Sequence, residues 1–588
     1  MRLIRPDPCG LGVVSFGLPS SSTSPAPLML RYPALFLLLA GLFAPLAAQP
    51  LVIEGAVSGG GPSSDVGEGV ALAADGSRYV VGTFEGTATF GDVSVTSAGD
   101  SDIFLVKYDG PTAVWARRAG TDVFNDFGGA VAVAPDGSVY ATGFFTGIAT
   151  WDGGANPDVE LTTFSDFDAF VAKYTPAGDL AWVRQAGGTG QDTGRDLAVD
   201  AAGNVYLVGG FEGTGSFGDV TLTSAGSSDA FLAKYDPDGN VVWARRGGSD
   251  QGDLAYGVAV TDDGAAHVSG SFRGVAQFGG LPIQSAGATD VFVVQYDADG
   301  EPVWVEGIGA DGSEFTRGGG IGLDADGNVY VTGSFSNTIL VASDVLVSTG
   351  FTDVFVAKLS AEGDELWGRR GGGDGTNFSA ALTVAENNVG VFVFATGYID
   401  GSGTFVEAPI TTQARDGYVA VFGGEGFLTS VDLIGGTGQD AGTGIASYSG
   451  GIDIDVAATG SFRGAIDIGQ DTIESAGSSD MYLLTGFVIG GLPVEPGAGT
   501  PSANALSAAH PNPFRDHATL ALDIAAAQDV TVEVFDLLGR RVAVVHEGPL
   551  DVGEHRVLID AGALPVGVYV VRAEGEAFRF AQRVTLVR

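Results

Sequence analysis

Cysteine is all but missing from this chain: 588 residues contain one, Cys9. Histidine is scarce too, with five residues, and lysine scarcer still, with four (Lys107, Lys173, Lys234 and Lys358). Basic residues total 28 against 71 acidic ones, a formal net charge of −43. Four histidines (His510, His517, His546, His555) crowd the last 80 residues, so the bulk of the chain has only His267, in the string AAHVSG that reads as a packed strand. Ser-His-Asp, Cys-His and histidine-rich metal sites therefore lack their parts. So acidic a surface repels phosphate backbones and anionic headgroups, which excludes nucleic acid as a partner. The chain is not disordered, because 45% of it is hydrophobic. Its 94 glycines fall among short alternating segments rather than ahead of helices, which points to many strands and tight turns and excludes a phosphate-binding loop.

Residues 29–48, MLRYPALFLLLAGLFAPLAA, have a charged start, an apolar core and a small-residue exit. They read as a secretory signal peptide cut near Ala48 and Gln49, with Met29 as the expected true start. Cys9 then leaves with residues 1–48, and no disulfide staples the exported chain. No later stretch has the length and apolarity of a transmembrane helix.

What the chain has in abundance is repetition. A glycine-aromatic string ends at Phe84, Phe145, Phe211, Phe272, Phe335, Tyr398 and Phe462, at intervals of 61 to 66 residues. All four lysines sit in one recurring string: LVKY, VAKY, LAKY and VAKL. One repeat, 196–248, reads as two hairpins, DLAVDAAGNVYLVGGF and DAFLAKYDPDGNVVWARRGG, with glycine and proline setting the turns. Each repeat is thus a four-stranded antiparallel sheet. Such a sheet cannot bury both faces alone, whereas seven placed radially can, so the expected fold is all-β: a seven-bladed β-propeller over 49–487. The seventh repeat stops after its third strand. The missing fourth is expected at the N-terminus, where QPLVIEG (49–55) aligns with EPVWVEG (301–307), bringing Gly55 to the place of Gly307. The sixth repeat is degenerate, with Val431 at the tryptophan position.

These units resemble the bacterial SBBP-type β-propeller repeat, in which glycine-aromatic strands precede a D-x-F-x-x-K-Y strand. After a Gly/Pro/Ala/Ser linker (488–509), residues 510–588 alternate like a small Ig-like β-sandwich. Pro511, Asn512, Pro513 and Phe514, then Gly539 in FDLLGRRV, then Gly567 and Tyr569 in LPVGVYV, follow in order. This module resembles the C-terminal sorting domain, type A, of the type IX secretion system. The resemblance implies export by the signal peptide, recognition by the type IX secretion machinery at the outer membrane, and a secreted or cell-surface location.

Aspartates that recur in every repeat (Asp102, Asp168, Asp229, Asp290, Asp353, Asp416, Asp480) are structural, expected to cap strand-entry amides. Tryptophans 115, 182, 243, 304 and 367 share one repeat position, expected between blades rather than as sugar platforms. Asp-x-Asp-Gly strings at 236–239, 297–300 and 324–327 lack the ligand spacing of a full calcium loop. They read as turns, leaving no cofactor beyond weak Ca2+ binding at an acidic surface. The inter-blade segments differ from repeat to repeat and share one face with the second-to-third connections. That face is the candidate binding surface, with Asp65, Glu68, Asn125, Asp126, Asp192, Arg195, Asp253, Tyr256, Glu314, Arg317 and Asn377. The expected activity is binding of a glycan, a protein or surface matrix without catalysis. A carboxylate-dependent carbohydrate hydrolase or a structural surface component are the alternatives.

Overall fold

The computed structural model describes residues 51–309, 314–315, 320–387, 390–449, 453–468, 471–488 and 505–506, and most of 517–586. The presequence, Ala48, Gln49, Pro511–Phe514, Arg317 and Gly539 lie outside the described residues. The molecule is all-β, 73% strand with no helix among the described residues.

The strands fall into antiparallel groups of four. Phe127–Val133, Val139–Trp151, Val159–Tyr174 and Leu180–Gly188 form the second, each paired with its successor. Such groups, here called units, follow one another along the chain, and pairing between neighbours merges several of them into larger sheets. The central stretches of the second and third strands of each unit are buried on both faces, as in Val205–Phe211 and Asp229–Tyr235. The innermost strands pack in succession: Asp65–Leu72 on Phe127–Val133, then Thr193–Val199, Leu254–Val260, Ile321–Leu323, Phe378–Asn387 and Ala441–Ser449, which returns to Asp65–Leu72.

The seventh unit, Ala441–Ser449, Ile454–Phe462 and Asp480–Val488, takes its fourth strand from the other end of the chain. Val52–Gly59 pairs antiparallel with Asp480–Val488, Gly59 opposite Met481 and Val52 opposite Phe487. The register differs by three residues from the sequence expectation. Gly55, opposite Thr485, holds the place of Trp304, which stands opposite Gln295, while Ser58 holds the place of Gly307. The reason is steric. A Cβ on Gly60 would lie 2.8 Å from both Asp480 Cγ and Asp65 Oδ2, so a residue without one must stand there. The expected register would have put Val57 at that point.

Tryptophan joins each unit to the next. The indole N–H of Trp115, Trp182, Trp243, Trp304 and Trp367 donates to a carbonyl in the third-to-fourth turn of the following unit: Pro176, Pro237, Ala298, Ala361 and Gly424, at 3.0–3.2 Å. The ring lies over a turn glycine, such as Gly239 or Gly300, whose Cβ would stand 2.8 Å from ring carbons. Arg117, Arg184, Arg245 and Arg369 stack on four of these rings at 5.2–5.5 Å and donate from Nε to the same turns. The sixth unit has no such tryptophan because the seventh has no such turn, its last two strands coming from opposite chain ends. Ser430, rather than Val431, holds the position and accepts from Leu51 N at 3.4 Å. At the sixth unit's second strand Ile399, not Tyr398, takes the fully buried place of Phe84.

The second-to-third connection, expected as a variable loop, is a β-hairpin in every unit. It reaches back onto the fourth strand of the preceding unit, as Thr214–Phe217 does on Leu180–Gly188 and Val275–Phe278 on Val241–Gly248. An exposed hairpin pairing with an edge strand removes the edge. Its inward residue fills the interface: Phe90, Phe217 and Phe278 each lie 4.6–4.9 Å from a phenylalanine of their own third strand.

The lysines answer the same geometry. Lys107, Lys173, Lys234 and Lys358 sit over Tyr79, Tyr140, Tyr206 and Tyr330 at 4.8–5.4 Å. In the fourth unit both partners change, His267 for the tyrosine and Gln295 for the lysine, paired across the strands. His267 is 1% exposed, neither ring nitrogen has a partner, and burial pushes its pKa down to about 4, so it stays neutral.

At the C-terminus a three-stranded and a four-stranded sheet, His517–Ile524 with Gly553–Asp560 and Gln528–Asp536 with Gly567–Gly575, enclose one apolar core. Tyr569 belongs to that core and donates its hydroxyl to Pro565 O. Gly567 begins its strand.

The unpartnered His267 yields a prediction. His267→Tyr with Gln295→Lys restores the ring and its cation, and is expected to add about 1 kcal/mol of stability by denaturant unfolding. Gln295→Lys alone gains nothing, since its ammonium has no tyrosine to sit on; an equal gain from the single change would refute the pairing.

Candidate functional site

The candidate residues separate into two kinds. Asp65, Asp126, Asp192, Asp253 and Asn377 occupy one repeat position and are buried, each 0–1% exposed, so they touch no ligand. Each aspartate accepts from two backbone amides, while Asn377 accepts from Asp400 N and donates its Nδ2 to Gly373 O. Asp126 accepts from Thr121 N at 2.7 Å and Thr146 N at 2.8 Å, Asp192 from Gly188 N and Glu212 N, and Asp253 from Ser249 N and Arg273 N. Asp440, which the sequence analysis passed over, does the same with Gly436 N and Arg463 N. The period of the repeat carried that signal.

Each of these aspartates meets the carboxylate that precedes a third strand. A Cβ on Gly120 would lie 2.6 Å from Asp102 Oδ1 and 2.9 Å from Asp126 Oδ2, and one on Gly187 2.7 Å from Asp168 Oδ1 and 2.6 Å from Asp192 Oδ2. The third-strand aspartates cap the amide four residues upstream, as Asp102 does Ala98 and Asp229 does Ala225. Arg118, Arg246 and Arg370 neutralise Asp102, Asp229 and Asp353 at 2.6–3.0 Å. Ser58, Gln185, Gly307 and Leu433 stand at that register elsewhere and bring no charge. One oxygen of Asp102, Asp168, Asp229, Asp416 and Asp480 is buried with no hydrogen-bond partner.

The fifth-to-sixth junction shows what that oxygen takes. There the second residue is Asn377, and its Nδ2 donates to Asp353 Oδ1 at 3.1 Å. In the other junctions a protonated carboxyl is the group that can donate there. Burial, with the neighbouring carboxylate adding to it, raises the pKa of Asp65 to about 7 and of Asp416 to about 6; burial also lifts Asp126 to about 6 and raises Asp192.

The second kind of candidate faces the axis. Every innermost strand whose first turn is fully described carries a β-bulge, and the extra residue is Glu68, Gly129, Arg195, Tyr256, Ala380 or Thr443. Three sequence candidates (Glu68, Arg195, Tyr256) are therefore one structural position. Glu68, Gly129, Arg195, Ala380 and Thr443 line an axial cavity of about 440 Å3, and Tyr256 does not. Its walls are otherwise small and apolar, with Ala71, Val131, Val258 and Ile321. Asp196 interrupts them; it accepts from Val258 N at 2.9 Å, and burial lifts its pKa to about 7. Phe127, Phe378 and Tyr398 also line the cavity; the sequence marked Tyr398 only as the aromatic of its repeat and did not mark Phe127 or Phe378. Asn125 is exposed and accepts from Ser101 Oγ at 3.1 Å. Glu314, opposite Phe335 as Asp65 is opposite Phe84, stands instead at the register of the junction aspartates. No group of three or more acidic, histidine or cysteine side chains that could hold a metal occurs among the described residues.

Two stretches match known families. Residues 508–586 match the secretion system C-terminal sorting domain, and residues 181–209, spanning Trp182 and Asp192, match the beta-propeller repeat. The chain thus carries a type IX sorting domain and is exported, to the cell surface or as a secreted protein. It is 30% identical over 377 residues to the "Regulatory protein FlaEY" of Caulobacter vibrioides, covering 59% of this chain and 38% of that one. It is 24% identical over 403 residues to an "Uncharacterized WD repeat-containing protein L264" of Acanthamoeba polyphaga mimivirus, covering 54% and 27%. The chain therefore spans well under half the length of either relative. Solved structures similar to it include a streptogramin B lyase (TM-score 0.32, 9% identity, 72% of this chain and 94% of that one) and the polysaccharide lyase Uly1 (0.36, 11%, 76% and 100%).

The carboxylate pairs make stability depend on pH in a stated direction. Their folded pKa values stand above the unfolded value near 3.9. Their contribution is therefore complete below that value and is lost as pH rises through about 6 to 7. Asp192→Asn, copying Asn377, is expected to gain melting temperature relative to the parent between about pH 5 and pH 8. Taking the difference cancels the opposite trend of His267. A difference constant with pH would contradict the shared proton.

Proposed function

We propose that this protein is an exported propeller of seven four-stranded blades, residues 49–487, that works as a binding module. Residues 1–48 are the presequence, 488–509 the linker, and 510–588 an Ig-like sorting sandwich read by the type IX machinery. The ligand is a glycan, a protein or surface matrix, taken at the axial mouth on the inter-blade face.

One observation carries this reading. Around the axis a single bulge position is filled by Glu68, Gly129, Arg195, Tyr256, Ala380 and Thr443, while the tryptophans, turn glycines and junction aspartates hardly vary from unit to unit. Positions under the same structural demand keep the same residue. A ring that differs in size and charge at every step answers to something other than the fold, and pockets of this volume hold ligands.

A second reading has its own support. Glu68 and Asp196 line the same cavity, and a carboxyl held near pKa 7 suits a general acid of a glycoside hydrolase. The junction pairs offer such an enzyme nothing, being sealed from solvent.

Co-sedimentation of the full exported chain with insoluble polysaccharides and surface matrix, run beside a reducing-end assay, tests both. Retention without release of reducing ends is expected. Release that disappears in Asp196→Asn would establish the hydrolase instead, and neither retention nor release would leave a structural component.

A further inference from the structure

Two units depart from the repeat at the mouth of the channel. In the second, Phe127, Phe144 and Phe167 form a ladder across three strands, with ring centroids 5.2 and 4.9 Å apart and the first pair nearly parallel, at 16°. In the sixth, Phe378 stacks on Tyr398 at 5.6 Å and 26°, and the Arg415 guanidinium lies 4.2 Å over the tyrosine ring. At the register of Phe144 and Tyr398 the other five units have Thr83, Gly210, Ser271, Ser334 and Ser461. At the register of Phe167 and Arg415 they have serine or threonine, for example Ser101.

These rings are only half-buried, unlike the Phe84 and Phe90 class that fills the blade interfaces. The order of packing around the axis puts the second and sixth units three steps apart one way and four the other, nearly opposite across the channel. Between them stand the bulge residues Glu68, Thr443 and Arg195, with Asp196 on the wall below.

We infer that the channel mouth binds a linear glycan of pyranose units, which stacks on Phe127 and Phe378, the cavity-lining ends of the two ladders, and hydrogen-bonds to Arg195, Glu68, Asp196 and Thr443 between them. This rests on the binding reading above and names its ligand class. An aromatic face carries negative quadrupole density that attracts the polarised C–H groups on one side of a pyranose ring. The ring's edge presents hydroxyls, each both donor and acceptor, which suit a cavity containing a guanidinium, two carboxyl groups and a threonine hydroxyl. An apolar peptide would displace water from those polar groups and return no hydrogen bond of its own. Ladders on opposite sides also call for an extended chain, because a single sugar reaches one of them only.

Phe127→Thr and Phe378→Ala install residues that other units already have at this register, Thr193 and Ala441, so the fold tolerates them, with the melting temperature as the check. A glycan array on the full chain identifies a bound oligosaccharide, and calorimetry measures it on the parent and on both variants. Each single substitution is expected to weaken a hexasaccharide about tenfold and the double variant to abolish binding, whereas a disaccharide of the same sugar binds weakly to all. Unchanged affinity in both variants at unchanged melting temperature would overturn this site while leaving the protein a glycan binder. No glycan bound by the parent up to about 1 mM would overturn the glycan assignment itself. Retention of surface protein in its place would leave the binding reading standing without it.

Discussion

A four-stranded sheet that is apolar on both faces needs a neighbour on each side, and everything repeated in this chain serves to supply one. The central stretches of the second and third strands are buried on both faces, as in Val205–Phe211 and Asp229–Tyr235. Burial of that area, at about 25 cal/mol per Å2, is available only if unit meets unit all the way round. An open stack would leave two such faces in water. The chain avoids this by lending its N-terminal strand to its last unit.

The contacts that enforce the meeting are unlike on the two faces of the ring. On the turn face a tryptophan with its arginine grips the next unit's turn, through an indole hydrogen bond and contact with a glycine. On the opposite face a glycine is held between two carboxyl groups, and an aspartate ties two strands by their amides. Hairpins reach back at the rim. The turn face is thereby committed to structure. The other face keeps the junction aspartates below its surface and leaves the bulge ring and the two aromatic ladders free to differ, which is the arrangement a binding surface needs.

Much of this was legible in the sequence, because a structural demand made seven times leaves seven copies. Repeat length, strand pairs, the role of Trp115 and its kin, and the loan of the first strand all followed from periodicity. The register of that strand did not, since the motif match of Gly55 with Gly307 gave no account of the space between Asp65 and Asp480. The site was half legible. Variation marked Glu68, Arg195 and Tyr256, but the same listing swept in Asp65, Asp126, Asp192 and Asp253, whose burial depends on strands 20 or more residues away. Phe127, Phe144 and Phe378 went unmarked, and Tyr398 was marked only as the aromatic of its repeat, because an aromatic in a strand reads as core until its neighbours in space are known. The absent tryptophan of the sixth unit looked like decay, whereas it marks the place where the next unit has no turn to grip.

The account depends most on closure by the borrowed strand, and differential scanning calorimetry of a chain lacking residues 49–60 tests it directly. Closure predicts that the whole propeller melts at a markedly lower temperature in one transition, because the seventh unit loses its outer strand and the first loses the strand its hairpin leans on. A transition unchanged in midpoint and enthalpy would show that the ring does not depend on Val52–Gly59, and would contradict the account.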